Sequence, residues 1–412
     1  MHKETTFTRY DLFIVAVLAF LQFTIILDFM VLSPLGAQLL QELNISTRQF
    51  GWVVSAYAFS AGASGLLAAG FADRFDRKRM LLFFYVGFIL GTFLCGIAPN
   101  YQLLLAARVI TGLFGGVIGS IIFAIITDLF QMQVRGRVMG IVQTSFAVSQ
   151  VLGLPIGLFL ANHWGWHAPF LMIVGLSALA FGIIAWKMKP VDAHLALQPG
   201  HSVLQHLAKT VSNKRYQNGF AATVLLATGG FMLMPFGSAF AVHNLGLRLD
   251  QLPVIYMVTG AFSLISGPLI GRFSDRFSKY LLFVLGSVTT IILVVIYTQL
   301  GLTPLWLAIA LNTLLFVGIT VRMITSSTLT SAIPDPADRG AFMGINASVA
   351  QVSGGIASAI AGMIIVQKPD GYLLHYPALG YVVAATMVIT IGMMYVIHKQ
   401  VQHKPKPAPE VT

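Results

Sequence analysis

Gly70-Phe71-Ala72-Asp73-Arg74-Phe75-Asp76-Arg77-Lys78-Arg79 is answered later in the chain by Gly271-Arg272-Phe273-Ser274-Asp275-Arg276-Phe277-Ser278-Lys279. A second pair matches at nearly the same remove: Arg135-Gly136-Arg137-Val138-Met139-Gly140-Ile141 and Arg339-Gly340-Ala341-Phe342-Met343-Gly344-Ile345. Asp73 to Asp275 is 202 residues and Arg135 to Arg339 is 204. Two matches at offsets of 202 and 204 residues mark an internal repeat, and each matching stretch separates two long apolar runs.

Those runs set the solvent. Of the 412 residues, 57% are hydrophobic and 9% charged, whereas a soluble domain carries about 25% charged residues. A helix needs about 20 apolar residues to cross the hydrocarbon layer. Twelve such spans are predicted, at 12–36, 50–72, 80–98, 103–127, 137–160, 168–187, 217–243, 251–273, 280–300, 304–330, 341–366 and 376–398. One long connection, residues 188–216, divides them six and six, and an amphipathic helix is expected within it around 202–213. The expected organisation is a six-helix bundle over 1–187, a cytoplasmic linker over 188–216, and a second bundle over 217–412 with a short cytoplasmic tail. The fold class is an all-α membrane protein of twelve transmembrane helices in two pseudo-symmetric six-helix bundles, with a cavity between them as the default substrate site.

Charge placement gives orientation. With the amino terminus inside, 20 of the 25 Lys and Arg residues fall in cytoplasmic segments and 3 on the opposite side, as the positive-inside rule requires. Both termini are therefore expected to be cytoplasmic, in a bacterial cytoplasmic (inner) membrane. No cleavable signal peptide is expected, because charges of both signs precede the first apolar run and no small-residue cleavage site follows it. The net charge of +11 does not point to nucleic acid, since no basic stripe with interleaved aromatics occurs. The single cysteine, Cys95, excludes an internal disulfide and a thiolate metal cage. A Walker phosphate loop, a metal-ligand cluster and a nucleophile–base constellation are all missing from the sequence. No cofactor, no metal and no enzymatic activity are expected, and the energy source is an ion gradient or the solute's own.

Three charges fall inside spans, where each costs about 2.5–3.5 kcal/mol at the centre. Asp28 lies in the half of span 1 away from the termini. A carboxylate held between desolvation and a neighbouring cation can exchange a proton near neutral pH; the structural alternative is an ion pair that never titrates. Arg108 lies at a similar depth in span 4, with snorkelling to the headgroups as its alternative role. The sequence leaves open whether the two pair. Arg322 sits among Thr320, Thr325, Ser326, Ser327 and Thr328, a small polar surrounding suited to a cavity wall and to holding an anionic or polyhydroxyl solute; its alternative is a backbone carbonyl partner. Weaker candidates for the substrate wall are Gln143, Gln150, Asn312, Asn346, Tyr57 and Phe236. Gly112, Gly115, Gly116 and Gly119 recur at spacings of three and four and predict one face of close helix approach. Gly153, Pro155 and Gly157 soften span 5, as Pro34 softens the end of span 1.

The stretch Gly70–Arg79 resembles the signature loop of the major facilitator superfamily, and Arg108 followed by Gly112, Gly115 and Gly116 resembles its span 4 signature. Gly153-Leu154-Pro155-Ile156-Gly157 and Gly165-Trp166-His167 are similar to span 5 and its exit in that family's bacterial proton-coupled drug and sugar efflux permeases. Phe71 and Asp76 stand where the signature has Leu and Gly, Leu154 replaces a glycine, and His167 stands where arginine is common. The resemblance implies secondary transport by alternating access, with protons and a small organic solute as partners and a functional monomer in the bilayer. It implies a proton-coupling role for Arg108. It also implies a cytoplasmic latch built from Gly70, Asp73, Arg77 and Asp128. Proton-coupled efflux is the leading expectation. A uniporter, symporter or flippase gripping an anionic or amphiphilic substrate through Arg322 is the alternative.

Overall fold

The computed structural model describes residues 7–71, 75–192, 195, 203–335 and 338–402; Asp73 of the expected latch lies outside them. The helices are α1 (Arg9–Val31), α2 (Gly36–Glu42), α3 (Thr47–Phe71), α4 (Arg77–Gly96) and α5 (Tyr101–Leu129). Next, α6 (Met132–Val148) runs through a π turn, Ser149–Gly153, into α7 (Leu154–Trp164), followed by α8 (Ala168–Lys187). Helix α9 (Val203–Ser212) stands in the connecting stretch, where an amphipathic helix is predicted. Then α10 (Lys214–Leu233) passes through a 3-10 turn into α11 (Gly237–His243), followed by α12 (Leu252–Arg276) and α13 (Lys279–Thr298). The last helices are α14 (Leu305–Ser331), α15 (Arg339–Ile364) and α16 (Tyr376–Gln402). A short hairpin, β1 (Val366–Gln367) against β2 (Leu373–Leu374), joins α15 to α16.

Among the described residues, twelve helical segments are long and apolar enough to cross a bilayer, with α6–α7 and α10–α11 each counting as one interrupted span. Helices are required here because hydrocarbon offers the backbone no hydrogen-bond partner. Where the chain surfaces, side chains cap the free ends: Thr8 and Asp11 form a capping box on α1, and Asp76, Asn100 and Ser278 cap α4, α5 and α13. Span 1 ends sooner than the sequence suggests. Its helix stops at Val31, and Pro34 sits in the turn before α2, because proline supplies no N–H to extend the ladder.

The repeat is visible in the packing. In the first half α3 and α4 pack on α5, α1 on α6, and α4 on α8; the second half repeats this with α12 and α13 on α14, α10 on α15, and α13 on α16. The two bundles then meet along paired seams, α3 against α15 and α12 against α7 with its π turn. Small residues permit the close approaches. A Cβ on Gly112 would stand 2.5 Å from the Tyr57 carbonyl oxygen, and one on Gly116 would stand 2.3 Å from that of Ala61. Gly119 departs from the expected face, since a Cβ there would meet nothing within 4 Å.

Candidate functional site

Between the halves lies a cavity of about 500 Å³, the size range that encloses a drug-sized molecule. Phe29, Met30 and Gln150 line it from the first half, and Phe231, Asn312, Arg322 and Asn346 from the second. Most of the wall is apolar. The end of the cavity away from the chain termini is closed by hydrogen bonds across the seam. Ser33 Oγ donates to the Met234 carbonyl, Ser238 Oγ donates to the Ser33 carbonyl at 3.0 Å, and Asn162 Nδ2 donates to the Leu249 carbonyl at 3.0 Å. On the other seam Thr47 Oγ1 donates to the Ile365 carbonyl at 2.6 Å, and Ser55 Oγ to that of Gly355 at 2.7 Å.

Immediately behind this wall, Asp28 and Arg108 pair. Arg108 Nη1 donates to Asp28 Oδ2 at 2.7 Å, and both side chains have no solvent exposure. Thr92 Oγ1 donates to the other carboxylate oxygen at 3.1 Å. The guanidinium also lies over the Tyr57 ring, 4.5 Å from its centroid, a contact worth about 2 kcal/mol when desolvated. Its Nε and Nη2 have no hydrogen-bond partner among the described residues. Arg108 therefore does not snorkel; it is held inside the first bundle by one carboxylate and one aromatic face.

Arg322 is placed differently. Its side chain is 5% exposed and borders the cavity. Nε donates to Ser287 Oγ at 3.1 Å, the guanidinium stands 5.7 Å from the Phe283 centroid, and Nη2 has no partner among the described residues. No carboxylate pairs with it among the described residues. The backbone-carbonyl partner considered from the sequence is replaced by this hydroxyl.

The sequence's wall candidates divide. Gln150, Asn312, Asn346 and Arg322 line the cavity. Thr223 Oγ1 donates to Asn346 Oδ1 at 2.6 Å, and Thr259 Oγ1 to Asn312 Oδ1 at 3.4 Å. Gln143, Tyr57 and Phe236 do not line it, which corrects that expectation. Tyr57 is turned under Arg108, Phe236 packs edge-on against Phe50, and Gln143 is exposed on α6. Sequence reading missed Thr92 and Ser287, the hydroxyls that hold Asp28 and Arg322. It also missed Tyr256, Tyr297 and Tyr376 on the cavity wall. A small hydroxyl in an apolar span was the available signal, but hydroxyls are too common there to single these out.

At the end carrying the termini, Arg77 Nε donates to Asp128 Oδ2 at 2.9 Å. Both residues belong to the first bundle, so this bond joins α4 to α5. Asp76 Oδ1 accepts from the amides of Lys78 and Val191, each at 2.9 Å; the residue that departs from the signature both caps α4 and ties down the chain after α8. His167 Nε2 reaches the Ala98 carbonyl at 3.2 Å beside the stacked Trp166 ring. Gly153 lies against Leu27 and Gly157 against Val31, bringing span 5 onto α1 next to Asp28. Pro155 is the second residue of α7, directly after the π turn.

Two bundles of six spans related by a repeat, meeting around a central cavity, define a multi-pass membrane protein of the transporter class. The sequence matches the Major Facilitator Superfamily profile over residues 18–358, with a second match over 219–411; the chain belongs to that superfamily and is one of its transporters. It is 32% identical over 268 residues to the uncharacterized MFS-type transporter YceJ of Bacillus subtilis (strain 168), covering 63% of this chain and 66% of that one. It is 34% identical over 145 residues to multidrug resistance protein 3 of the same organism, covering 35% of this chain and 28% of that one. In both comparisons the match spans less than two thirds of the relative's length. Among solved structures, a D-xylose–proton symporter superposes with a TM-score of 0.80 at 16% identity, over 96% of this chain and all of that one, a likeness of fold.

Proposed function

We propose that the protein is a proton-coupled exporter of a small organic solute, working by alternating access between its two bundles. The observation that carries this reading is the Asp28–Arg108 pair, fully buried one and two residues from Phe29 and Met30 on the cavity wall. A carboxylate so placed can be ionised against Arg108, or protonated and released from it. Protonation leaves the guanidinium without its counter-charge and loosens the tie between α1 and α5. Movement of α1 then changes the cavity wall beside it, which is what links proton uptake to solute release. Gln150, Asn312 and Asn346 supply hydrogen bonds to the solute. Arg77 and Asp128 are assigned, with Gly70 and with Asp73, which lies outside the described residues, to a latch that holds the cytoplasmic end when the opposite end opens. In this reading both termini are cytoplasmic, the membrane is the bacterial inner membrane, residues 188–216 link two bundles, and the monomer is the working unit. The export direction draws support from relatives named for multidrug resistance and efflux.

The test is reconstitution in liposomes under an imposed pH gradient, with an internal pH dye read as sugars, drugs and lipids are added. The expected result is solute-dependent proton movement in the native protein and none in Asp28→Asn, with solute binding retained. Equal coupled flux in Asp28→Asn overturns the proposal.

A further inference from the structure

We infer that the cavity selects amphipathic organic anions, with the anionic group held at Arg322. This rests on the cavity being a transport site, but neither on the direction of transport nor on proton coupling.

The first observation is charge. Among the described residues lining the cavity, Arg322 alone is charged, and no carboxylate faces it there. The buried Asp28–Arg108 pair in the first bundle is internally neutral and lies outside the wall. A bound cation would meet a like charge with no acidic side chain to offset it, whereas an anion supplies the counter-charge that the fold omits.

The second is unused hydrogen-bonding capacity. Arg322 has a buried Nη2 with no partner among the described residues, while Ser287 takes Nε and the Phe283 ring stands 5.7 Å from the guanidinium. Buried donors are normally satisfied, and a planar guanidinium is matched by a carboxylate, sulfonate or phosphate that takes two parallel bonds. Ser326 and Thr330 follow at spacings of four on the same helix and also line the cavity, so hydroxyls extend the anion's seat toward the terminal end.

The third is the shape of what remains. Asn312 precedes Arg322 by ten residues on α14, about 15 Å along the helix axis. There the wall is Asn312 with Tyr256 and Tyr297; Phe316 stands between the two polar positions on α14, and the contacting pair Phe29 and Phe231 lines the same cavity. The site therefore fits a molecule with an anionic head, an aromatic or aliphatic middle, and a weakly polar far end.

The experiment is equilibrium binding to the full chain in phosphatidylcholine nanodiscs, with no gradient. Three fluorescent probes of one skeleton are compared: dansylglycine (anion), dansylglycinamide (neutral) and dansyl-ethylenediamine (cation), with empty nanodiscs subtracted. Dansylglycine is expected to bind at least ten-fold more tightly than the amide, and the cation most weakly. Arg322→Gln should abolish the difference between anion and amide while leaving the amide's affinity within two-fold; Arg322→Lys should keep most of the preference. Equal affinity for anion and amide in the native protein overturns the inference without any variant. So does an anion preference that persists in Arg322→Gln, or absence of measurable anion binding. A charge-selective site in a protein that shows no solute-driven proton flux leaves this inference standing and removes the export reading. Coupled flux of a solute bound without anion preference does the reverse.

Discussion

Gly51 and Gly362 face each other across the seam of the two bundles. A Cβ on Gly51 would stand 2.8 Å from the Ser358 carbonyl oxygen and 3.3 Å from Gly362 Cα, and one on Gly362 would stand 2.7 Å from the Thr47 carbonyl oxygen. The obstructing atoms are backbone, so no rotamer change relieves them. Overpacking costs about 1–3 kcal/mol. Loaded onto the arrangement closed at this end and not onto an open one, that shifts their ratio by about 5- to 150-fold. Gly51→Val should therefore populate a state separated at the end away from the termini. Spin labels at Asn44→Cys and Asp370→Cys read the gap, and the one native cysteine, Cys95, is buried and leaves the labelling to them. A longer distance component is expected in Gly51→Val. An unchanged distribution refutes the wedge argument.

The Asp28–Arg108 pair predicts an asymmetry between its two deletions. Breaking a buried pair by removing one member costs about 3–5 kcal/mol, but the survivors differ. Arginine keeps its charge, whereas a carboxyl group has a neutral form to fall back on. Asp28→Leu should accordingly lower the thermal midpoint more than Arg108→Met, and the double variant should recover most of the loss. Thermal unfolding in detergent micelles measures all three. If Arg108→Met is the more damaging, its contact with Tyr57 outweighs the ion pair.

How much was legible beforehand follows from how each feature is encoded. Spans and their repeat are carried by long runs and by loops at a fixed offset, which survive errors of several residues. The depth of Asp28 and Arg108 could be counted along their helices. Their pairing could not, because α1 is apolar on nearly every side and such a helix carries no phase in its sequence. The same lack of phase misplaced Phe236 and Gln143, whose spans border the cavity but whose directions depend on which way the helix is turned; Tyr57 lies on α3, which adds no residue to the wall. Arg322 was recognisable by its polar neighbours, its hydroxyl partner on α13 was not. The π turn at Ser149–Gly153 was hidden for another reason, since one wide turn leaves no mark in composition while rotating everything beyond it.

Asp76 offers a test of the link between α4 and the chain after α8. Its carboxylate accepts the amides of both Lys78 and Val191, and the Arg77 amide donates to the Val191 carbonyl at 3.0 Å. Loss of an N-cap acceptor costs about 1 kcal/mol, here together with a tether. In Asp76→Ala, peptides covering residues 187–192 should exchange amide hydrogens roughly five-fold faster, while the core of α5 stays as protected as before. Unchanged exchange at Val191 means that its amide is protected by something other than Asp76.

Gly153 ends the π turn and Gly260 packs against it from α12, and they should not respond alike to alanine. A Cβ on Gly153 would come within 2.6 Å of a Leu27 methyl; one on Gly260 would lie 3.0 Å from Val151 Cα and 3.1 Å from the Gln150 carbonyl oxygen. The shorter distance is the milder one. Leu27 can swing its methyl groups aside at a rotamer cost of about 0.5–1.5 kcal/mol. At Gly260 the obstacle is main chain, so α12 and the π turn must separate, and the seam between the bundles moves with them. Gly260→Ala is therefore expected to lose more stability, by about 1 kcal/mol, and to slow transport by at least several-fold. Gly153→Ala should stay near the native rate. Melting curves and initial uptake rates into proteoliposomes compare the two, and a larger effect at Gly153 shows that Leu27 is locked in place by its own neighbours.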